Sequence, residues 1–220
     1  MQATTRTPYG SWSAPITVSE AGSDASNAKV TVGSDGAATA VWRGGDGGSD
    51  QIKGSSRPAK GVWSIPVTLS TVSGNVYDPQ LAVDPDGMVT ALWSWWDGNQ
   101  GEVQTASRRP GDTWSRPVTL SSCCEDAQAA RIAVGPDGRA TALWRATLYG
   151  VSHMVAATRT PDRSWLAPII VSQDGVGGYG AQLAAGSNGT VAAVWERRDG
   201  ADDRVQAVVL VPVPKSRRNR

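Results

Sequence analysis

The chain repeats itself every 51 residues, and four copies keep that period without a net insertion or deletion. Trp12, Trp63, Trp114 and Trp165 stand one period apart, and so do Trp42, Trp93, Trp144 and Trp195. Between them recurs a turn pair, Asp35-Gly36, Asp86-Gly87, Asp137-Gly138 and Asn188-Gly189. Self-similarity on this scale is the mark of solenoids, propellers and arrays, in which each copy buries its apolar face only against the next one. The fold is therefore read one repeat at a time.

Each copy divides into four short runs, which in the first complete unit are residues 28–32, 37–43, 51–57 and 63–69. They are rich in valine, isoleucine, threonine and tryptophan, are cut by Gly, Pro and Asp, and carry no helical periodicity, which is the pattern of short strands. The Asp-Gly or Asn-Gly pair tolerates positive φ and suits a tight hairpin between the first two runs. The third and fourth runs are joined by a turn holding Pro8, Pro58, Pro110 or Pro161. Four antiparallel strands per period predict an all-β fold, a β-propeller of four-stranded blades, which hides sheet edges by radial repetition. Residues 1–210 are expected to form one repeat domain with units 28–78, 79–129, 130–180 and 181–210, the last completed by 1–27. A four-bladed ring closes if residues 12–18 pair with the last unit; part of a larger or open array is the alternative. Met1 stands where other copies have Ile52, Val103, Met154 and Val205, already inside a repeat, so a lost upstream segment is expected.

Composition narrows the function classes. With 21 Lys and Arg against 20 acids the net charge is +1, and no global field attracts nucleic acid. The one basic cluster, Lys215, Arg217, Arg218 and Arg220, lies in the tail 211–220 and reads as a solvated terminus. No apolar run is long enough to span a membrane, and no signal peptide is present. The periodic tryptophans are filled alike in every copy, which predicts packing between blades. Arg6, Arg57, Arg108 and Arg159 recur before the third-to-fourth turn and are expected to brace it or to lie over a tryptophan face.

That turn resembles a known motif. Thr5 to Trp12, Ser56 to Trp63, Ser107 to Trp114 and Thr158 to Trp165 have the Ser/Thr-to-aromatic spacing of the Asp-box of sialidase-like propellers. The motif's aspartate is replaced by Thr7, Pro58, Arg109 and Thr160. Over nearly the full length, the Trp-Ser-x-Pro-Val-Thr-Leu-Ser and Asp-Gly to Ala-Leu-Trp phrases are similar to secreted repeat proteins of actinobacteria, which implies the fold and an extracellular location. The double glycine of kelch repeats occurs once, at Gly44-Gly45, and kelch is not assigned. A sialidase would bring an arginine triad, a tyrosine nucleophile and an aspartic acid, and no such set can be placed here residue by residue.

The two tight turns of each repeat are nearly uniform, whereas the second-to-third and fourth-to-first connections vary in sequence at fixed length. In a meander the variable loops emerge at one end of every blade, and individual loops on a rigid scaffold are where binding resides. This face is expected to hold the candidate ligand-binding residues Trp95, Trp96, Asp97, Tyr77, Asp78, Glu102, Tyr149 and Tyr179, with His153 nearby. Trp95 and Trp96 replace Gly44-Gly45, Ala146-Thr147 and Arg197-Arg198, so repeat packing does not require them. Asp46, Asp50, Asp199 and Asp203 are weak calcium candidates, because calcium takes six or more oxygen ligands and no EF-hand spacing occurs. Adjacent Cys123 and Cys124 can form only a vicinal disulfide or pair with another chain. No catalytic constellation, cofactor or resident metal is called for. The expectation is a non-enzymatic recognition module, monomer or homodimer, whose partner is a glycan or surface protein, carbohydrate being the leading ligand. The alternatives are a structural or protein-interaction segment and, more remotely, a sialidase-like glycosidase.

Overall fold

The computed structural model describes residues 1–6, 9–45, 48–70, 74–172, 178–199 and 201–211, with the side chain of Asp199 left out. The chain opens with β1 (Gln2–Ala3) and β2 (Ile16–Thr17), a two-stranded half-sheet. Sheet I comprises β3 (Asp24–Val32), β4 (Ala38–Gly45), β5 (Gln51–Arg57) and β6 (Val67–Thr68). Sheet II comprises β7 (Asn75–Val83), β8 (Val89–Trp96), β9 (Gly101–Arg108) and β10 (Val118–Thr119). Sheet III comprises β11 (Glu125–Val134), β12 (Ala140–Leu148), β13 (Val151–Arg159) and β14 (Ile169–Ile170). Sheet IV has β15 (Tyr179–Ala185), β16 (Val191–Asp199) and β17 (Asp202–Leu210). Every pairing is antiparallel and consecutive, so the fold is the all-β propeller of four-stranded blades that the repeat predicts.

Local chemistry sets these elements. In the first hairpin the Gly36 amide donates to Gly33 O at 2.9 Å, Asp35 Oδ1 accepts the Ala37 amide at 2.9 Å, and Gly36 takes φ 77°. This is a type I turn closed by a left-handed glycine, and Gly87, Gly138 and Gly189 repeat it. The fourth strands are much shorter than the runs expected for them. Pro15, Pro66, Pro117 and Pro168 directly precede β2, β6, β10 and β14, and a residue without an N–H cannot extend a ladder.

The core lies in the seams between sheets, one tryptophan to a seam. Trp42 packs between the half-sheet and sheet I, Trp93 between I and II, Trp144 between II and III, and Trp195 between III and IV. All four are at most 3% exposed. The second periodic set is less uniform, since Trp63, Trp114 and Trp165 are half-buried but Trp12, on the half-sheet, is 63% exposed. Of the recurrent arginines, Arg6 and Arg57 brace their turns, donating to Gly10 O at 3.0 Å and Gly61 O at 3.5 Å, whereas Arg108 Nη2 donates to Thr39 Oγ1 at 3.2 Å and Arg159 Nη1 to Thr90 Oγ1 at 2.7 Å, each reaching the preceding sheet. Arg108 also lies over Trp114, 5.6 Å from the ring centroid.

The expected ring closure does not occur. Ile16 and Thr17 pair with Ala3 and Gln2 of β1, so unit 181–210 is not completed by 1–27, and among the described residues no strand pairs with the outer edge of β17. Val30 and Val32 on β3 are 66% and 59% exposed, and Val205 and Val209 on β17 are 75% and 56% exposed. The described sheets thus form an open arc. The basic tail from residue 212, the turn at Thr7 and Pro8, and Asp46 lie outside the described residues. Among the described residues no helix is long and apolar enough to cross a membrane.

Because a seam tryptophan cannot be replaced without a void, Trp144→Ala should lower stability by about 3–5 kcal/mol. Trp12→Ala should change it by about 0.5 kcal/mol. Equilibrium urea denaturation of the two variants checks the contrast.

Candidate functional site

The first strand of each of sheets I to IV carries a feature that the repeat alone did not reveal. Registers slip between Ser26 and Lys29, Tyr77 and Gln80, Gln128 and Arg131, and Tyr179 and Gln182. At each slip sits a left-handed residue, Asn27, Asp78, Ala129 or Gly180, again one period apart. A β-bulge therefore recurs in each of sheets I to IV, and bulges re-aim side chains at a sheet's rim. β11 slips a second time between Glu125 and Gln128, where Asp126 also takes a positive φ of 48°.

The double bulge opens a cavity of about 280 Å³ in the II/III seam, lined by Tyr77, Ser94, Trp95, Trp96, Gly101, Asp126, Ala127 and Gln128. Gly101 permits the close approach of the two sheets, because a Cβ there would come within 3.1 Å of Ala127 O. Of the sequence candidates, the cavity brings together Tyr77, Trp95 and Trp96. The tryptophans face different ways, as alternation requires: Trp95 packs on the I/II cluster with its indole over Gly74, and Trp96 stays half-buried at the cavity. Asp78 is exposed on the neighbouring bulge of β7.

The other candidates are engaged elsewhere. Asp97 Oδ1 accepts the backbone amides of Asn99 and Gln100, both at 2.7 Å, and so builds its own loop. These bonds, that of Gln100 first, hold its carboxyl below the ordinary value of 3.8. Glu102 accepts from Thr119 at 2.9 Å and Gln104 at 3.1 Å, toward the outer strands. Tyr149 is fully exposed at a hairpin tip, while Tyr179 stands 58% exposed at the III/IV seam. His153 is buried, with Nδ1 lacking a hydrogen-bond partner. Asp50 is bound by Arg43, whose Nε donates at 2.7 Å, so that carboxylate already has a cation. Asp203 is exposed, and among the described residues no three metal-ligating side chains converge. Cys123 and Cys124 are joined to each other, and the Cys124 carbonyl accepts from Gln100 Nε2 at 3.3 Å.

No protein-family model matches the chain, and no curated protein does. Solved structures share its fold. One is a protein of unknown function from Dyadobacter fermentans DSM 18053, 13% identical, with a TM-score of 0.63, over 88% of this chain and 67% of that one. Another is the GH93 alpha-L-arabinofuranosidase of Fusarium graminearum in complex with arabinobiose, 13% identical, TM-score 0.56, over 88% of this chain and 65% of that one. A third is a PL25 ulvan lyase bound to -[GlcA(1-4)Rha3S]-, 14% identical, TM-score 0.53, over 76% of this chain and 44% of that one. The chain spans about two thirds of the first two and less than half of the third. At such identities the likeness is one of fold. The expectation of a non-catalytic recognition module is nevertheless overturned, because the neighbours of known activity are enzymes acting on carbohydrate.

Sequence reasoning missed Asp126 and Gln128. The signal available was the turn-prone type at one strand position in three of the four copies, Asn27, Asp78 and Gly180, since residues that tolerate a left-handed backbone inside a strand run mark a bulge. Asp97 supports its loop only while ionised. Its folded-state pKa is depressed, so the contribution is complete above the unfolded value and is lost as the pH falls through the folded one. Protection of the Asn99 and Gln100 amides, taken relative to their intrinsic exchange rates, should therefore fall as the pH drops through the depressed Asp97 value, and in Asp97→Asn should lose this pH dependence.

Proposed function

We propose that the protein cleaves glycosidic bonds of a polysaccharide, with the II/III cavity as the reacting subsite. The observation that carries this reading is the meeting of Tyr77, Trp96, Gln128 and Asp126 in one cleft of the variable face. Aromatic faces stack on sugar rings, and an amide orients hydroxyls. Asp126 and Asp78 stand at bulges of neighbouring innermost strands, β11 and β7, and carboxylates brought to one face supply the acid and base that glycosidic cleavage needs. Both residues are held in a left-handed conformation that costs a side chain energy, and such strain concentrates at working sites. The fold of carbohydrate-active propellers supports the same reading. A polymeric substrate is met outside the cell, so the protein acts extracellularly on a glycan partner.

Incubation with a panel of neutral and acidic polysaccharides tests this, with reducing ends counted for either kind of cleavage and ultraviolet absorbance reporting the unsaturated ends left by elimination. Asp126→Asn and Asp78→Asn should each lower kcat about 100-fold or more, the range of lost acid–base catalysis. Trp96→Ala should chiefly raise KM, by about 3- to 10-fold, the equivalent of one lost stacking contact. Unchanged turnover in both aspartate variants would remove them from the reaction, and no product from any polysaccharide would overturn the function.

A further inference from the structure

The III/IV seam, next to the cavity across sheet III, carries charge that the function above does not use. Arg145 lies over the Tyr179 ring with Cζ 5.0 Å from its centroid. Two repeats earlier the same pair occurs as Arg43 over Tyr77 at 5.2 Å. The two units differ in their surroundings, because Arg43 is neutralised by Asp50 whereas, among the described residues, Arg145 has no carboxylate within ion-pairing distance.

A second cation faces the same seam. Leu143 and Trp195 both pack in the III/IV cluster, and strand alternation places Arg145 beside Leu143 and Arg197 beside Trp195. Arg197 is half-buried, and its Nε is enclosed without a hydrogen-bond partner. Across β17, Arg204 is its register partner. Exposed Glu196 pairs in register with Tyr179 and stands against Gly180, but forms no ion pair with either guanidinium. Exposed Asp202 sits at the end of the β16–β17 hairpin. Enclosed donors left without an acceptor are costly, and a ligand that supplies one recovers that cost.

We infer that Arg145, Arg197 and Tyr179 form a subsite for an acidic sugar residue, a uronate, of the polysaccharide; this rests on the proposed carbohydrate-cleaving function. A guanidinium is a planar fork matched to a carboxylate. In a uronate the carboxylate is attached directly to the pyranose ring, so one residue can meet the arginines and lay its ring on Tyr179, which is 58% exposed. The Arg43–Tyr77 unit, neutralised by Asp50, lacks this preference. A chain running from the cavity over sheet III would thus be read at one position by charge.

Calorimetric titration with oligogalacturonate, neutral arabinan oligosaccharides and a sulfated galactan tests the assignment. Arg145→Gln and Arg197→Gln should each weaken oligogalacturonate binding by about 10-fold or more, the loss of a charge-assisted hydrogen bond, and leave arabinan binding unchanged. Arg198→Gln, the same charge change on the opposite face of β16, should leave both unchanged, and Arg145→Lys should recover part of the loss. Circular dichroism and urea midpoints exclude misfolding of the variants. Arabinan cleavage without any preference for oligogalacturonate would overturn the subsite and spare the function; no binding or cleavage of any polysaccharide would overturn both. Tighter binding of the sulfated galactan than of oligogalacturonate would overturn the uronate assignment.

Discussion

Everything in this molecule depends on burying one indole in each seam. Trp42, Trp93, Trp144 and Trp195 project from the second strand of their sheets into the face of the preceding one, and the chain makes room by omitting side chains. Ala40, Ala91, Ala142 and Ala193 stand two positions before them, and Gly178 lies so close to Trp195 that a Cβ would come within 2.2 Å of Cδ1. A ring this large, set against alanine and glycine, fixes both the distance and the rotation between sheets, since interiors are packed too densely to slide. The arginine-to-threonine bonds between neighbouring sheets, Arg108 to Thr39 and Arg159 to Thr90, add direction at the opposite end of the seam from the variable loops. Asp84 joins the second of these, within 3.6 Å of Arg159 and 3.2 Å of Arg163, and compensates an otherwise unpaired buried charge.

A scaffold held from its seams leaves the loop face free to differ from copy to copy. The recurring bulge is the device that links the two. It lies in the first strand of each of sheets I to IV, costs one ladder position, and turns the next side chains toward the rim. Where a second bulge adjoins it, at Asp126, the seam opens into a cavity, and where a strand residue at the seam is an unneutralised arginine, as at Arg145, the seam becomes cationic. One architecture thus produces neighbouring seams of different chemistry around the same buried indole.

The period determined the all-β propeller architecture, the hairpin turns and the seam set Trp42, Trp93, Trp144 and Trp195, because each is a local demand repeated in every copy, whereas the second periodic set is half-buried and, at Trp12, exposed. It also placed Tyr77, Trp95 and Trp96 on one face, since strand parity and loop order follow from the repeat. Tertiary structure alone decided the rest. The bulges at Asp78 and Asp126 shift side chains by one residue, and register is a property of two strands rather than one. Asp97 and Glu102 lie in the expected loop and strand, yet Asp97 is satisfied by amides of its own loop, and Glu102 by Gln104 and by Thr119 of the next strand, whose position only the strand pairing specifies. Closure was settled the same way: β2 has the sequence of a fourth strand and could serve either end of the array, and it pairs with β1 because closing the segment 4–15 between them costs less entropy than joining the two ends of the arc.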